Sequence, residues 1–180
     1  MEWRISDGLY GYEQAVRTME DRVAAIRAGE ADELVWLLQH PPLYTAGTSA
    51  KAADLLDPNR LPVHQTGRGG QYTYHGPGQL VVYLLLDLRR RQLGVRRFVS
   101  LLETAIIDVL GHHGLKADRR PEAPGVYVGE AKIAALGLRV RSGCCYHGIS
   151  LNIDLDLAPF SWIDPCGYAG LVVTSVVEQG

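Results

Sequence analysis

Cysteine 166, lysine 132 and the histidines at 75 and 147 are the residues whose types and settings point to chemistry. Cys166 stands in Asp164-Pro165-Cys166-Gly167, a loop context in which a thiol is accessible. A free thiol has a pKa of about 8.5 and needs a neighbour to ionise it near neutrality. His75 and His147 both lie in glycine-flanked positions and can serve as that neighbour. So can a lysine, whose compact ammonium steadies a thiolate and can later move a proton, as an arginine cannot easily do. The chain has only three lysines, Lys51, Lys116 and Lys132, and Lys132 opens the otherwise apolar run Ile133-Ala134-Ala135-Leu136-Gly137-Leu138. The plainer alternatives are a lysine at a strand end facing water and a loop cysteine without chemistry. The other two cysteines, Cys144 and Cys145, are adjacent; in a strand they face opposite ways, so one points into the core and acts as a small hydrophobe.

A stretch rich in glycine, Arg68 to Gln79 (RGGQYTYHGPGQ), is the second candidate. Glycine lets a ligand approach the main chain, and a loop that also carries Arg, Thr, Tyr and His is costly to order without a task. A plain turn with polar filler is the alternative. Metal chemistry finds no support, since there is neither a Cys-x-x-Cys nor a His-Glu-x-x-His, and His112-His113 falls at a helix end. Phosphate-binding patterns are missing as well: Gly67-Arg68-Gly69 departs from the dinucleotide fingerprint because position 72 is Tyr.

The elements that must position these residues read as follows. Residues 2–6 form a short strand, and a helix runs from Gly11 to Ala28 on the stripe Val16, Met19, Val23 and Ile26, stopped by Gly29. Glu33–Gln39 is a strand ended by His40-Pro41-Pro42. Pro42–Ser49 reads as ordered loop, Lys51–Leu56 as a short helix, and Leu61–Gln65 as a strand feeding the glycine-rich loop. Leu80–Leu86 does not alternate, so as a strand it is buried on both faces. Val95, Phe98, Val99, Leu102, Ile106, Val109 and Leu110 give a second helix closed by Gly111. Val126–Val128 and Lys132–Val140 form a hairpin turning at Gly129-Glu130, and a turn at Ser142-Gly143 leads to a strand over Cys145–Ile153. The remainder is loop, with a last strand at Val172–Val177. Two helices with many hairpin-linked strands indicate an α+β domain.

A chain of 180 residues suits one domain, 1–180, and 47% hydrophobic with 21% charged residues is ordinary for a globular protein. The net charge of −2 offers no general attraction to nucleic acid, although Arg89, Arg90, Arg91, Arg96 and Arg97 cluster, as a solvated face or to meet an acidic partner protein. The first residues carry no secretory leader pattern, and the longest apolar run, Leu80–Leu86, is far too short to span a bilayer. An odd cysteine count with two adjacent fits a reducing, cytoplasmic setting.

Four blocks taken together resemble the bacterial lipoyl(octanoyl) transferases: Arg68 to Tyr83, Lys132-Ile-Ala-Ala-Leu-Gly, Tyr146-His-Gly-Ile-Ser-Leu-Asn, and Pro159-Phe160 with Pro165-Cys166-Gly167-Tyr168-Ala169-Gly170. Their order is the family's, and the likeness covers most of the chain. The resemblance implies the fold of the biotin/lipoate protein ligase catalytic domain, a mixed, largely antiparallel sheet flanked by helices. It implies transfer of an octanoyl group from octanoyl-acyl carrier protein to a lysine of lipoyl domains of 2-oxoacid dehydrogenase complexes or of glycine cleavage H protein. No cofactor is implied. Carried over residue by residue, Cys166 bears the acyl thioester and Lys132 tunes it. Acyl binding falls to Arg68, Gly69, Gly70, Gln71, Tyr72, Thr73, Tyr74 and His75, to Ala135, Leu136 and Gly137, and to Gly148, Ile149 and Ser150.

Tyr72, Leu136 and Ile149 are suited to line an apolar slot, and amides near Gly69-Gly70 or around Cys166 to hold an oxyanion. Two departures stand out. Cys145 occupies the place before the second Tyr-His-Gly where the family commonly has a small hydroxylated residue, and only residues 167–180 follow Cys166 where many relatives continue further. Rival readings are an ATP-dependent lipoate or biotin protein ligase, a non-catalytic acyl-carrier docking module, and a Cys-His hydrolase.

Overall fold

A computed structural model describes residues 1–121, 123–164 and 170–180. In chain order the elements are β1 (Glu2–Leu9), α1 (Tyr12–Ala28), β2 (Leu34–Gln39), β3 (Leu43–Ala46), β4 (Val63–Gln65), β5 (Tyr72–His75), β6 (Gln79–Asp87), α2 (Val95–His112), β7 (Asp118–Arg120), β8 (Ala123–Val128), β9 (Ala131–Arg141), β10 (Cys144–Asn152) and α3 (Val176–Gln179). Among the described residues the strands make a seven-stranded sheet ordered β1-β2-β6-β10-β9-β8-β7 and a three-stranded sheet ordered β4-β3-β5. Among the described strands only β1–β2 and β3–β4 are parallel pairs, so the α+β, largely antiparallel expectation holds.

The parallel pair β1–β2 needs a crossover, and α1 supplies it. Tyr12, Ala15, Met19, Val23 and Ile26 recur at helical spacing and are buried; Val16 is only partly so. Gly29 takes φ +77° and its N–H closes on the Ile26 carbonyl at 3.1 Å, a left-handed stop that a side chain would resist. The buried face of α1 packs on Leu34, Trp36, Leu38, Val81, Tyr83, Leu85, Cys144 and Tyr146. The alternate residues of the same strands, Val35, Leu84, Leu86 and Cys145, pack with Phe98 and Leu102 of α2. A helix therefore covers each face of the sheet, which is why β6 reads as a continuous apolar run.

Several local expectations change. Pro42–Ser49 contains β3, and the glycine-rich loop contains β5; the two pair from Leu43↔His75 to Ala46↔Tyr72. Each is four residues long and stabilised by a distant partner, which local pattern cannot reveal. The short helix after Lys51 shrinks to one 3-10 turn, Ala52–Asp54. Helix α2 runs through Gly111 to His112, and Gly114 takes the left-handed turn at φ +81°. Val95 and Val109 lie outside its buried stripe. The last strand is reduced to a single bridge, Lys132↔Val173, after which Ser175 caps α3 by accepting the Glu178 N–H. Cys144 and Cys145 do face opposite ways, but both are buried, because both sheet faces are covered.

Candidate active site

Arg68 organises the glycine-rich loop from within. Its guanidinium is buried and donates to Thr45 Oγ1 at 2.7 Å, to the Thr45 carbonyl at 2.7 Å, and to the carbonyls of Gly69 at 3.0 Å and Gln71 at 2.9 Å. A planar fork can hold several acceptors at fixed angles, so one side chain ties the loop to β3. Gly47 permits the approach, since a Cβ there would lie 2.8 Å from Arg68 Nη1. Across the cleft, a Cβ at Gly137 of β9 would lie 2.9 Å from Arg68 Cδ.

The loop, β6, β9 and β10 enclose a cleft of about 560 Å3, its open mouth included. Its walls are Tyr12, Arg68, Gly70, Gln71, Tyr72, Thr73, His75, Val81, Tyr83, Ala135, Leu136, Gly137, His147, Gly148, Ile149 and Ser150. Five separate stretches of sequence thus meet on one surface, among them the three that carry the acyl-binding candidates. Two candidates stand apart from it. Tyr74 turns the other way, edge-on to Tyr44 and Phe160, and Tyr72 shares that apolar cluster, so Thr73 and His75 are the β5 side chains that face the cleft, as alternation requires. Gly69 spends its amide on the Leu138 carbonyl at 2.9 Å, which removes it as an oxyanion donor.

Thr73, Ala135 and Ser150 also line a second, smaller pocket with Gln79, Lys132, Ala134, Asn152, Phe160, Leu171 and Val173. Lys132 is buried rather than facing water. Its Nζ donates to the Pro124 carbonyl at 3.2 Å and lies 5.3 Å from the centre of the Tyr127 ring. Its backbone is clasped by residues that follow Cys166 in sequence: Lys132 N–H donates to the Val172 carbonyl at 2.9 Å, and Thr174 N–H to the Lys132 carbonyl at 3.0 Å. Cys166 itself lies outside the described residues.

The histidines are not set up as bases. His75 Nδ1 donates to Gln79 Oε1 at 2.7 Å; Gln79 Nε2 donates to the Tyr74 carbonyl at 3.2 Å and to Asn152 Oδ1 at 3.0 Å. Asn152 Nδ2 in turn donates to the Thr174 carbonyl at 2.9 Å. The two backbone carbonyls can only accept, so they fix both amide orientations and the His75 tautomer. Burial lowers the pKa of His75 to about 3 and that of His147 to about 3, with neighbouring charges adding to it. Both imidazoles are therefore neutral at ordinary pH, and the relay is a rigid frame between the cleft and the strap beside Lys132. His147 takes φ +62°, which turns it onto the same side as its neighbour Tyr146, the two rings stacking at 5.0 Å.

The description "Lipoyl protein ligase A/B catalytic domain" matches residues 11–179. The chain belongs to that family. An octanoyltransferase of Agrobacterium fabrum is 55% identical over 193 residues, spanning 100% of this chain and 72% of that protein. One from Paramagnetospirillum magneticum is 56% identical over 185 residues, spanning 100% of this chain and 87% of its own length. Likeness of this order over the whole chain makes it an acyltransferase. Among solved structures, lipoate-protein ligase A bound with ATP superposes with a TM-score of 0.74 at 17% identity, covering 99% of this chain and 77% of that one, a likeness of fold.

Within this lipoyl ligase fold, Tyr12 and Thr174 lie outside every candidate stretch of the sequence, while Val81, Tyr83, Gln79 and Asn152 stand inside the quoted blocks with no role given. Tyr12, Val81 and Tyr83 are cleft walls, and Gln79, Asn152 and Thr174 are its frame. Val81 and Tyr83 belong to an unbroken apolar run, where nothing distinguishes a cleft residue from a core one. Cys145, the departure from the family pattern, donates from Sγ to the Leu84 carbonyl at 3.3 Å, and burial pushes its pKa up to about 12. Of the arginine cluster, Arg90 and Arg91 pair with buried Glu33 at 3.2 and 2.5 Å. They follow β6 at Asp87, the strand end away from Gln79 and the Lys132 pocket. Among the described residues no group of three or more His, Cys, Asp or Glu could hold a metal, and no helix is long and apolar enough to cross a membrane.

Proposed function

We propose that this acyltransferase carries octanoyl groups from an acyl carrier protein to lysines of lipoyl domains by way of a thioester on Cys166. Octanoyl transfer in protein lipoylation is its activity. The observation that carries the route is the buried Lys132 in a pocket that shares Thr73, Ala135 and Ser150 with the cleft. An acyl chain lying in the cleft would direct its carbonyl toward that lysine. Phe160 and Leu171 line the Lys132 pocket on either side of Cys166 in sequence, and a span of five residues reaches no more than ~18 Å. Connectivity thus supports a thiol within reach of the ammonium.

The Cys166 thiolate attacks the carrier thioester carbonyl and expels the carrier's thiolate, which takes a proton from the Lys132 ammonium. The carbonyl is now on Cys166 Sγ, and Lys132 is a neutral amine. The incoming lysine amine attacks the new thioester, gives a proton to Lys132 and expels the Cys166 thiolate, restoring the starting state. Aminolysis of a thioester is downhill, so the cycle consumes no ATP. Leu136 and Ile149 turn their side chains to α2, and Tyr72 joins the cluster of Tyr44, Tyr74 and Phe160, so the expected slot is corrected. The methylenes lie against Val81, Tyr83 and Ala135, each contributing ~0.8 kcal/mol to acyl binding. Buried free thiols at Cys144 and Cys145 support a reducing, cytoplasmic location.

A single-turnover assay with octanoyl-acyl carrier protein, a lipoyl domain and no ATP tests this. Transfer by the native enzyme and none by Cys166→Ser supports the route; transfer that requires ATP contradicts it.

A further inference from the structure

We infer that Tyr127 is a positioning residue for the Lys132 ammonium, holding it through the face of its ring. The inference rests on the proton-moving role of Lys132 given above. Tyr127 and Lys132 are paired directly across β8 and β9, beside an irregularity of register between Val126 and Tyr127. The ring is buried and anchored at its far end, where the hydroxyl donates to the Ala123 carbonyl at 3.0 Å. Lys132 Nζ stands 5.3 Å from the ring centre, within the range in which the negative π face attracts a cation. The Pro124 carbonyl accepts from the same Nζ at 3.2 Å. Gly125 leaves the floor open: a Cβ there would lie 2.9 Å from Lys132 Cε, and its φ of +142° is one that side chains resist.

Ring and carbonyl are both neutral. Both help to set where the ammonium points. Charged groups approach this cradle from each packed element. Arg120 of β7 lies 4.4 Å from the same ring and is tied to Glu130 at 2.8 Å. Glu103 of α2 accepts the Gly125 N–H at 3.1 Å, and Glu178 of α3 accepts from the Thr174 hydroxyl at 3.1 Å.

Fluorination of an aromatic ring withdraws its face potential while nearly preserving its shape. Phenylalanine and its mono-, di- and trifluorinated forms at position 127 therefore test the idea in the full-length enzyme. The readout is the rate of Cys166 alkylation by iodoacetamide at pH 7, located by peptide mapping. The rate should fall stepwise along the series, by roughly five- to tenfold at the last member. A flat series overturns the inference. Lys132→Met separates the two claims: if it leaves alkylation unchanged, the Lys132–Cys166 reading fails, and if it slows alkylation while the series is flat, only the Tyr127 inference fails. Should the phenylalanine variants not fold, ring-fluorinated tyrosines carry the same comparison with the hydroxyl kept.

Discussion

The Tyr83 hydroxyl donates to His40 Nε2 at 2.7 Å, while His40 Nδ1 donates to the Tyr10 carbonyl at 2.6 Å. A carbonyl can only accept, so this pair of bonds fixes the neutral tautomer of His40 and joins the wall of the cleft to the start of α1. Both side chains are buried. Tyr83→Phe leaves the imidazole acceptor unsatisfied and should cost about 1–3 kcal/mol in denaturant unfolding. Adding His40→Leu to it should cost less than the sum of the single changes, because the orphaned partner is then removed. Strict additivity would contradict the bond's role.

Stability should fall as the solution is acidified. Burial lowers the pKa of His40 to about 4 and of His75 and His147 to about 3. Unfolded histidines titrate near ~6.5, so between that pH and ~4 the unfolded chain binds more protons than the folded one. The stabilisation is complete above the unfolded value and is lost as pH drops. Near pH 5 the linkage slope should approach about three protons, or ~4 kcal/mol per pH unit. Unfolding midpoints measured at pH 7, 6 and 5 check this, and midpoints independent of pH would contradict it.

Arg68→Lys should lower octanoyl transfer by at least about tenfold, since an ammonium cannot span the acceptors on Thr45, Gly69 and Gln71 at once. The loss should fall on both KM and kcat, and limited proteolysis should open the chain between residues 66 and 72. Near-native kinetics with a protected loop would show that the fork is dispensable.

Thiol labelling should be confined to one position. Cys144 and Cys145 are buried, and burial raises the pKa of both, that of Cys145 to about 12. A thiolate is the reactive form, so iodoacetamide should modify neither in the native enzyme and both in denaturant. Native labelling at Cys145 would mean that β10 opens readily.

The parts of this architecture that were legible in the sequence are those with local causes. The stripe on α1, the Gly29 stop, the β8–β9 turn and the doubly buried β6 each follow from spacing within one segment. The cleft was legible only through three of the four blocks in a family's order, since nothing local says that Arg68, Gly137 and Gly148 meet. Gly148 shows why: it is required because a Cβ would run into the Val82 carbonyl on β6, a contact between residues far apart in sequence. The strands β3 and β5 escaped for the same reason. Arg68 read as a ligand contact, and the structure gives its guanidinium a large structural share as well; an arginine's burial is not written in its neighbours.

The central claim is that the acyl group rests on Cys166 in mid-reaction. Intact mass after brief exposure to octanoyl-acyl carrier protein without ATP, followed by peptide mapping, tests it most directly. One octanoyl group on Cys166, discharged when a lipoyl domain is added, is the predicted result. An enzyme that transfers octanoyl while no cysteine ever gains mass would contradict the account.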